Sequence, residues 1–164
     1  MTKPVIEWGT HLPLLVRMFE KTEGDVLELG MGYFSTPILK WLCEMSGRTL
    51  YSYESKKEWY DKVIQEEVKP FQKIIFCQDW ASADIERHWG LVFIDHSPLR
   101  KRHVDIKRLA NHADVIVMHD TQPESDKYYN YSKIFPLFKY RLDFTKYKPW
   151  TSAVSNFIDV SKLG

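Results

Sequence analysis

Residues 26–38, VLELGMGYFSTPI, place an apolar segment directly before a turn that contains two glycines and the start of a helix. Gly30 and Gly32 carry no Cβ, so the backbone can turn sharply there and come close to a ligand. Thr36 followed by Pro37 fits an N-cap and the first helical position, which predicts a helix N-terminus facing the turn. The segment therefore predicts a strand, a ligand-binding turn and a helix in succession.

The residues of this turn distinguish two kinds of nucleotide site. A dinucleotide site uses the pattern Gly-x-Gly-x-x-Gly, and Ser35 stands at the third glycine position of this chain. Glu28 lies two residues before Gly30, where its carboxylate would repel a diphosphate and attract an ammonium group. We therefore expect a ligand with a cationic amino-acid end rather than a dinucleotide.

Apolar runs of strand length alternate with helical patterns along the chain. Helices are predicted at 11–21, 36–46, 56–68, 82–87, 99–110 and 130–138, and strands at 25–29, 49–54, 73–77, 91–95 and 114–118. Two further strand-like runs, 140–147 and 151–160, predict a hairpin. This order predicts an α/β fold, a doubly wound Rossmann-like sandwich with a mostly parallel seven-stranded sheet and a C-terminal antiparallel hairpin.

Composition narrows the remaining possibilities. A chain of 164 residues that is 44% hydrophobic predicts a single domain over residues 1–164, with an N-terminal helical segment (1–23) and a core (24–164). The net charge of +1 argues against general nucleic-acid binding, and the basic run 100–108 is interpreted as a solvated helix face, with contact to substrate or phosphate as the alternative.

Cysteine usage and hydropathy indicate the compartment. Cys43 and Cys77 lack the spacing of a metal or redox motif and are predicted to be buried thiols. There is no signal-peptide core, and no apolar run approaches the ~20 residues of a membrane span. We expect a cytoplasmic protein without membrane attachment.

Glu28-Leu29-Gly30-Met31-Gly32, with Ser35 and Thr36 opening the helix, resembles motif I of the class I S-adenosylmethionine-dependent methyltransferases. The alternation of elements and the final hairpin resemble the same family from about Gly24 onward. The resemblance implies S-adenosylmethionine as the cofactor. The cofactor-binding residues that it implies are His11, Glu28, Gly30, Gly32, Ser35, Thr36, Glu54, Ser55, Asp79, Trp80 and Asp95.

Several of these residues have a second interpretation. Glu54 lies just over twenty residues after Gly32, the spacing at which an acid binds a ribose diol, or it is an acid near a helix N-terminus. Asp79 and Trp80 resemble the segment that contacts adenine, although Trp80 also fits a core position. His11 could reach the cofactor carboxylate, or it belongs to a helix that only packs on the sheet.

The fourth and fifth predicted strands end in titratable residues. Asp95 and His96 follow one strand, and His119 and Asp120 follow the other, a concentration that a structural sheet does not require. These positions resemble the acceptor site of small-molecule O-methyltransferases, which implies His96, His119 and Asp120 as catalytic residues, with a histidine as general base. In some of those enzymes the same positions hold a divalent cation, so Asp95 and Asp120 are candidate Mg²⁺ ligands. Imidazole in place of a carboxylate at His119 shifts the preference toward a transition metal.

The sequence therefore indicates methyl transfer to a small-molecule acceptor, with oxygen favoured over nitrogen. The first helix and residues 121–137 are expected to form the acceptor pocket, with a partner subunit contributing if the protein is a homo-oligomer. The aromatic residues expected to line it are Tyr128, Tyr129, Tyr131, Phe135 and Phe138. Two alternatives remain, a nicotinamide-dependent oxidoreductase and a non-catalytic methyltransferase-like scaffold, which would not need the histidines and Asp120 together.

Overall fold

The computed structural model describes residues 5–66 and 68–163. Its strands are β1 Val26–Leu29, β2 Leu50–Glu54, β3 Gln72–Phe76, β4 Trp89–Ile94, β5 Ala113–His119, β6 Tyr140–Phe144 and β7 Thr151–Ser155. They form one seven-stranded sheet in the order β3-β2-β1-β4-β5-β7-β6. Strands β1 to β5 pair in parallel, and the β6–β7 hairpin adds antiparallel to β5. The predicted fold class is confirmed.

The helices are α1 Leu12–Glu20, α2 Ser35–Ser46, α3 Lys57–Ile64, α4 Arg102–Leu109 and α5 Asp126–Tyr129. The helix predicted at 56–68 ends earlier, at Ile64, and its residue 67 lies outside the described residues. The aromatic helix predicted at 130–138 is replaced by two short 3-10 turns, Tyr131–Lys133 and Phe135–Leu137. Asn130 ends α5 in the left-handed region with φ of 56°, so the α-helix cannot continue.

The helix predicted at 82–87 does not form. Only a 3-10 turn, Trp80–Ser82, is present there. The next three carbonyl groups, of residues 83, 84 and 85, accept hydrogen bonds from the side chains of Arg108, Tyr53 and Trp89. Because side chains bind these carbonyl groups, two of them from distant parts of the sequence, such contacts replace the helical hydrogen bonds.

Both faces of the sheet are covered by apolar residues. Leu27 and Leu29 pack with Trp89 and Ile106 in one cluster, whereas Val26, Leu91 and Phe93 pack with α1 and α2 in the other. Cys43 and Cys77 are free and buried, as expected. Within residues 5–66 and 68–163, no helix combines the length and the apolar character that crossing a membrane requires.

Glu28 connects β1 to α2 and β2, on the side of the sheet that α1 and α2 cover. Its carboxyl accepts hydrogen bonds from Thr36 on α2 (2.9 Å) and Ser52 on β2 (2.6 Å). The Thr36 hydroxyl accepts in turn from the backbone N–H of Gly32 (2.9 Å), so it does not cap the helix, which begins at Ser35. Glu28 therefore fixes the glycine turn from behind. Burial raises its pKa to about 7, against the opposing effect of the hydroxyl donors.

Gly30 is required by the packing of the main chain. Its φ is +91°, and an added Cβ would lie 2.5 Å from the Cα of His96 and 2.9 Å from the carbonyl carbon of Asp95. The turn thus presses against the end of β4. Gly47, at the C-terminus of α2, also has a positive φ (+70°), but a Cβ there would meet no atom within 4 Å.

Gly30→Ala should destabilise the protein more than Gly47→Ala. Both changes place a side chain in the left-handed region, at a cost of about 1–2 kcal/mol. Gly30→Ala adds a clash with the backbone of β4, for which overpacking typically costs a further ~1–3 kcal/mol. Urea unfolding gives the free energy of unfolding of both variants. Equal losses of that free energy would contradict the close approach of Gly30 to the backbone of Asp95 and His96.

Glu28→Gln should flatten the dependence of stability on pH. Between the ordinary pKa of 4.5 and the folded value of about 7, the folded protein holds a proton that the unfolded chain has released. Stability therefore falls as pH rises through that window, by up to ~3 kcal/mol for this one group. Urea unfolding from pH 4.5 to 8 should show a shallower decline in Glu28→Gln, whereas the control Glu44→Gln, on the exposed side of α2, should follow the parent. If stability fell with pH by the same amount in all three proteins, the raised pKa of Glu28 would be refuted.

Candidate cofactor and active site

A cleft of about 550 Å³ opens at the carboxyl ends of β1, β4 and β5. This position is where open α/β sheets bind ligands, and the volume falls in the range of about 300–1,000 Å³ that is usual for small-molecule sites. The predicted site residues that line it are His11, Gly32, Ser35, Asp95, His119 and Asp120. The structure therefore brings the glycine turn and the ends of β4 and β5 into one wall.

Aromatic residues that the sequence analysis did not single out also line the cleft. Trp8 stacks on Tyr33 with ring centroids 6.4 Å apart, and Tyr33 meets Trp59 edge-on at 4.6 Å. All three line the cleft together with Lys56. Tyr33 belongs to the glycine turn, which could have drawn attention to it, but Trp8 and Trp59 belong to no motif.

Glu54 supports the glycine turn from below. Its carboxylate accepts hydrogen bonds from the backbone N–H groups of Met31 (3.0 Å), Ser55 (2.8 Å) and Lys56 (2.7 Å). Burial raises the pKa of Glu54, and these three donors oppose the shift. Glu54 is almost fully buried. Its Oε2 accepts only one of these hydrogen bonds, so a lone pair of that oxygen is left for the expected contact with a ribose. Ser55 donates its hydroxyl to the carbonyl of Ser97 (3.2 Å).

Asp79 and Trp80 lie away from the cleft. The Asp79 side chain accepts from the backbone N–H of Ala81 (3.1 Å). Trp80 is buried, donates its indole N–H to the carbonyl of Ser97 (2.7 Å) and stacks on His96 at 4.2 Å. Trp80 therefore occupies a core position, and the adenine contacts expected of Asp79 and Trp80 stay a prediction.

His96 is also a core residue, which differs from its expected role as a general base. Its ring is 1% exposed, and Nε2 lies 3.0 Å from Oδ2 of Asp105 on α4. Burial lowers the pKa of His96, partly offset by Asp105. Because the ring is enclosed between Trp80 and α4, it has no contact with the cleft.

Arg102 connects the ends of β4 and β5. Its guanidinium lies 2.8 Å from the Asp95 carboxylate and 3.0 Å from that of Asp120, and it donates to the carbonyls of Asp95 (3.0 Å) and His96 (2.8 Å). The side chain is 4% exposed, so the basic run 100–108 is not simply a solvated face. Burial would raise the pKa of Asp95, but Arg102 and His119 outweigh it and hold that pKa at about 2.

This arrangement bears on the expected Mg²⁺ site. Arg102 lies between Asp95 and Asp120 and already supplies the positive charge that both carboxylates face. Asp120 also accepts a hydrogen bond from the Tyr129 hydroxyl (2.9 Å). The pair is thus arranged as partners of a guanidinium rather than as ligands of a shared cation.

His119 and His11 lie together in the cleft wall. Nδ1 of His119 is 3.4 Å from Oδ2 of Asp95, and Nε2 is 2.9 Å from the hydroxyl of Thr10. Burial would lower the pKa of His119, but Asp95 outweighs it and raises that pKa. The His11 ring packs edge-on against His119 at 4.9 Å, and burial together with His119 lowers its pKa to about 3. One potential ligand atom from each of His11, Asp95 and His119 lies within 4.8 Å of the others.

The aromatic residues expected to line an acceptor pocket lie outside this cleft. Tyr129 and Tyr131 are buried and stack at 5.1 Å, and the Tyr131 hydroxyl donates to the carbonyl of His119 (3.0 Å). Tyr128 is half exposed on a different surface, while Phe135 and Phe138 pack against the core. Tyr129 and Tyr131 therefore support the end of β5 from behind.

Comparison with known proteins rests on structure, since no protein-family model and no curated protein matches the sequence. The chain is similar to an O-methyltransferase from Bacillus cereus solved in complex with SAH, with a TM-score of 0.61 and 15% identity over 93% of this chain and 82% of that one. A methyltransferase from Pyrococcus furiosus gives 0.56 and 12% over 90% and 83%. Spermidine synthase in complex with the transition-state analogue AdoDATO gives 0.67 and 12% over 96% and 62%. The strand order, the C-terminal hairpin and these similarities together show that the chain has the fold of the class I S-adenosylmethionine-dependent methyltransferases.

Proposed function

We propose that this protein transfers a methyl group from S-adenosylmethionine to a small-molecule acceptor, with oxygen favoured as the methylated atom. One observation carries the proposal: a single cleft joins the glycine turn to Asp95 and His119. The B. cereus neighbour, solved with SAH, supports the cofactor class, because its fold is similar to that of this chain.

The glycine turn fits a bound cofactor. An added Cβ at Gly32 would meet only the Ser35 hydroxyl, at 3.4 Å, so the space in front of this glycine is open. Both Gly32 and Ser35 line the cleft, and the N-terminus of α2 adds unpaired N–H groups beside them. Gly32, Ser35 and the aromatic wall of Tyr33 and Trp59 would hold the cofactor, while Glu28, Thr36 and Glu54 fix the turn.

Asp95 and His119 would activate the acceptor. When bound, S-adenosylmethionine supplies a methyl group on a sulfonium that leaves as a neutral thioether, so the protein must mainly orient the acceptor and accept one proton. His119 lines the cleft and is oriented by Asp95 and Thr10, which suits a general base. Arg102 and Asp120 would orient the polar part of the acceptor beside it.

A non-catalytic scaffold remains the alternative from another class, and a nicotinamide oxidoreductase the second. A scaffold would not need a histidine and carboxylate pair in the cofactor cleft. A nicotinamide enzyme would need room for a diphosphate at the turn, where Ser35 replaces the third glycine.

S-adenosylhomocysteine should bind the protein and raise its melting temperature, because a ligand that binds only the folded state stabilises it. Gly32→Val should abolish this binding with little change in the unfolding midpoint, since its side chain would fill the open space. Calorimetry measures the affinity for S-adenosylhomocysteine, and urea unfolding checks that Gly32→Val is folded. Binding of NAD in preference to S-adenosylhomocysteine would favour the oxidoreductase, and undiminished binding by folded Gly32→Val would place the cofactor elsewhere.

His119→Gln should reduce methyl transfer by about 10²- to 10⁴-fold, the usual contribution of a general base, while the affinity for S-adenosylhomocysteine stays close to that of the parent. Transfer is measured from methyl-labelled S-adenosylmethionine to a panel of small hydroxyl compounds. His88→Gln is the matched control, because His88 is exposed and pairs with Asp114 outside the cleft. Equal rates for both variants would remove His119 from the chemistry.

A further inference from the structure

We propose that His11, Asp95 and His119 form a binding site for one divalent transition-metal ion, with Zn²⁺ as the representative ion. The three residues come from the start of α1, the end of β4 and the end of β5, so only the folded chain brings them together. This proposal goes beyond methyl transfer and does not rest on it.

The spacing of the three side chains suits a single ion. A tetrahedral ion with bonds of about 2.0–2.1 Å holds its ligand atoms about 3.3 Å apart. Oδ2 of Asp95 and Nδ1 of His119 are already 3.4 Å apart, and all three ligand atoms lie within 4.8 Å of one another. The largest of these separations exceeds the tetrahedral value by about 1.5 Å, so small side-chain movements would close the site.

His11 provides a second, independent observation. His11 is 2% exposed, and within residues 5–66 and 68–163 neither ring nitrogen makes a hydrogen bond of good geometry, with the backbone of Trp8 as a marginal partner. Buried polar atoms in folded proteins are normally paired, so an orphaned imidazole beside Asp95 and His119 needs an explanation. A metal ion would supply the missing partner.

Neighbouring residues hold the other two ligands in place. Arg102 lies 2.8 Å from Oδ1 of Asp95, which leaves Oδ2 facing His119. The Thr10 hydroxyl contacts Nε2 of His119, and the Tyr131 hydroxyl fixes the main chain at the same residue. Such outer contacts orient ligands and tune their affinity.

The donor set selects the class of metal. Two imidazoles and one carboxylate favour Zn²⁺, Fe²⁺ or Co²⁺, whereas Mg²⁺ prefers oxygen ligands throughout. Three protein ligands leave a coordination position open toward the cleft, as in catalytic rather than structural zinc sites. In the protein loaded with the ion, His119 would be a ligand, so the general-base role proposed for it above would belong to the protein without the ion.

Zn²⁺ titration of the chelator-treated full chain tests the site without cofactor or acceptor. Competition with a chromophoric chelator should show one bound ion per chain, and His11→Gln and His119→Gln should each weaken it by about 10- to 100-fold or more. His88→Gln should bind as the parent does, and millimolar Mg²⁺ should not displace the Zn²⁺. Failure of the parent to bind, parent-like binding by His11→Gln, or displacement by Mg²⁺ would each overturn the proposal.

A measurement on the unsubstituted protein guards against variants that fail to fold. Two-bond ¹H–¹⁵N spectra of the histidine rings should show that Zn²⁺ shifts the nitrogens of His11 and His119 and leaves those of exposed His88 in place. Shifts confined to surface histidines would overturn the proposal. Because neither experiment contains S-adenosylmethionine, a missing metal site and a missing methyltransferase activity give separate results.

Discussion

The buried guanidinium of Arg102 is the interaction on which the sheet edge depends. It binds the carboxylates of Asp95 and Asp120 and the carbonyls that follow β4. A buried charge is tolerated only when it is paired and hydrogen-bonded, and removing one partner of such a set is strongly destabilising. Arg102 therefore keeps the ends of two adjacent strands in register while leaving Oδ2 of Asp95 directed at His119.

The sequence predicted the fold well, because the spacing of apolar residues along the chain indicates which faces of helices and strands are buried. Continuous apolar runs such as 115–118 identify parallel strands covered on both faces, and β5 includes that run. The errors fall where tertiary contacts compete with local preference. No helix forms at 82–87 because side chains, two of them distant in sequence, bind three consecutive carbonyls there, and the segment after α5 breaks at Asn130.

The site was predicted less completely, for a different reason. Asp95, His119 and Asp120 follow strand ends in the sequence, and all three line the cleft. Adjacency in sequence does not fix the direction of a side chain, however. His96 follows Asp95 and points to the opposite side of the sheet, where it meets Trp80 and Asp105. Arg102 was obscured within a basic run, because only the fold shows which of its charges is enclosed.

The contacts of Thr10 join segments that are far apart in the sequence, which bears on the order in which the site forms during folding. Its hydroxyl meets the ring of His119, 109 positions along the chain, and the carbonyl of Pro149, 139 positions along. Contacts of such long separation form late, after the entropy of closing the intervening loops has been overcome. The contacts that Thr10 makes in the folded protein therefore require a chain synthesised beyond Pro149. The wall of the cleft around His119 is complete only once the segment before α1 has met the end of β5 and the segment that follows β6.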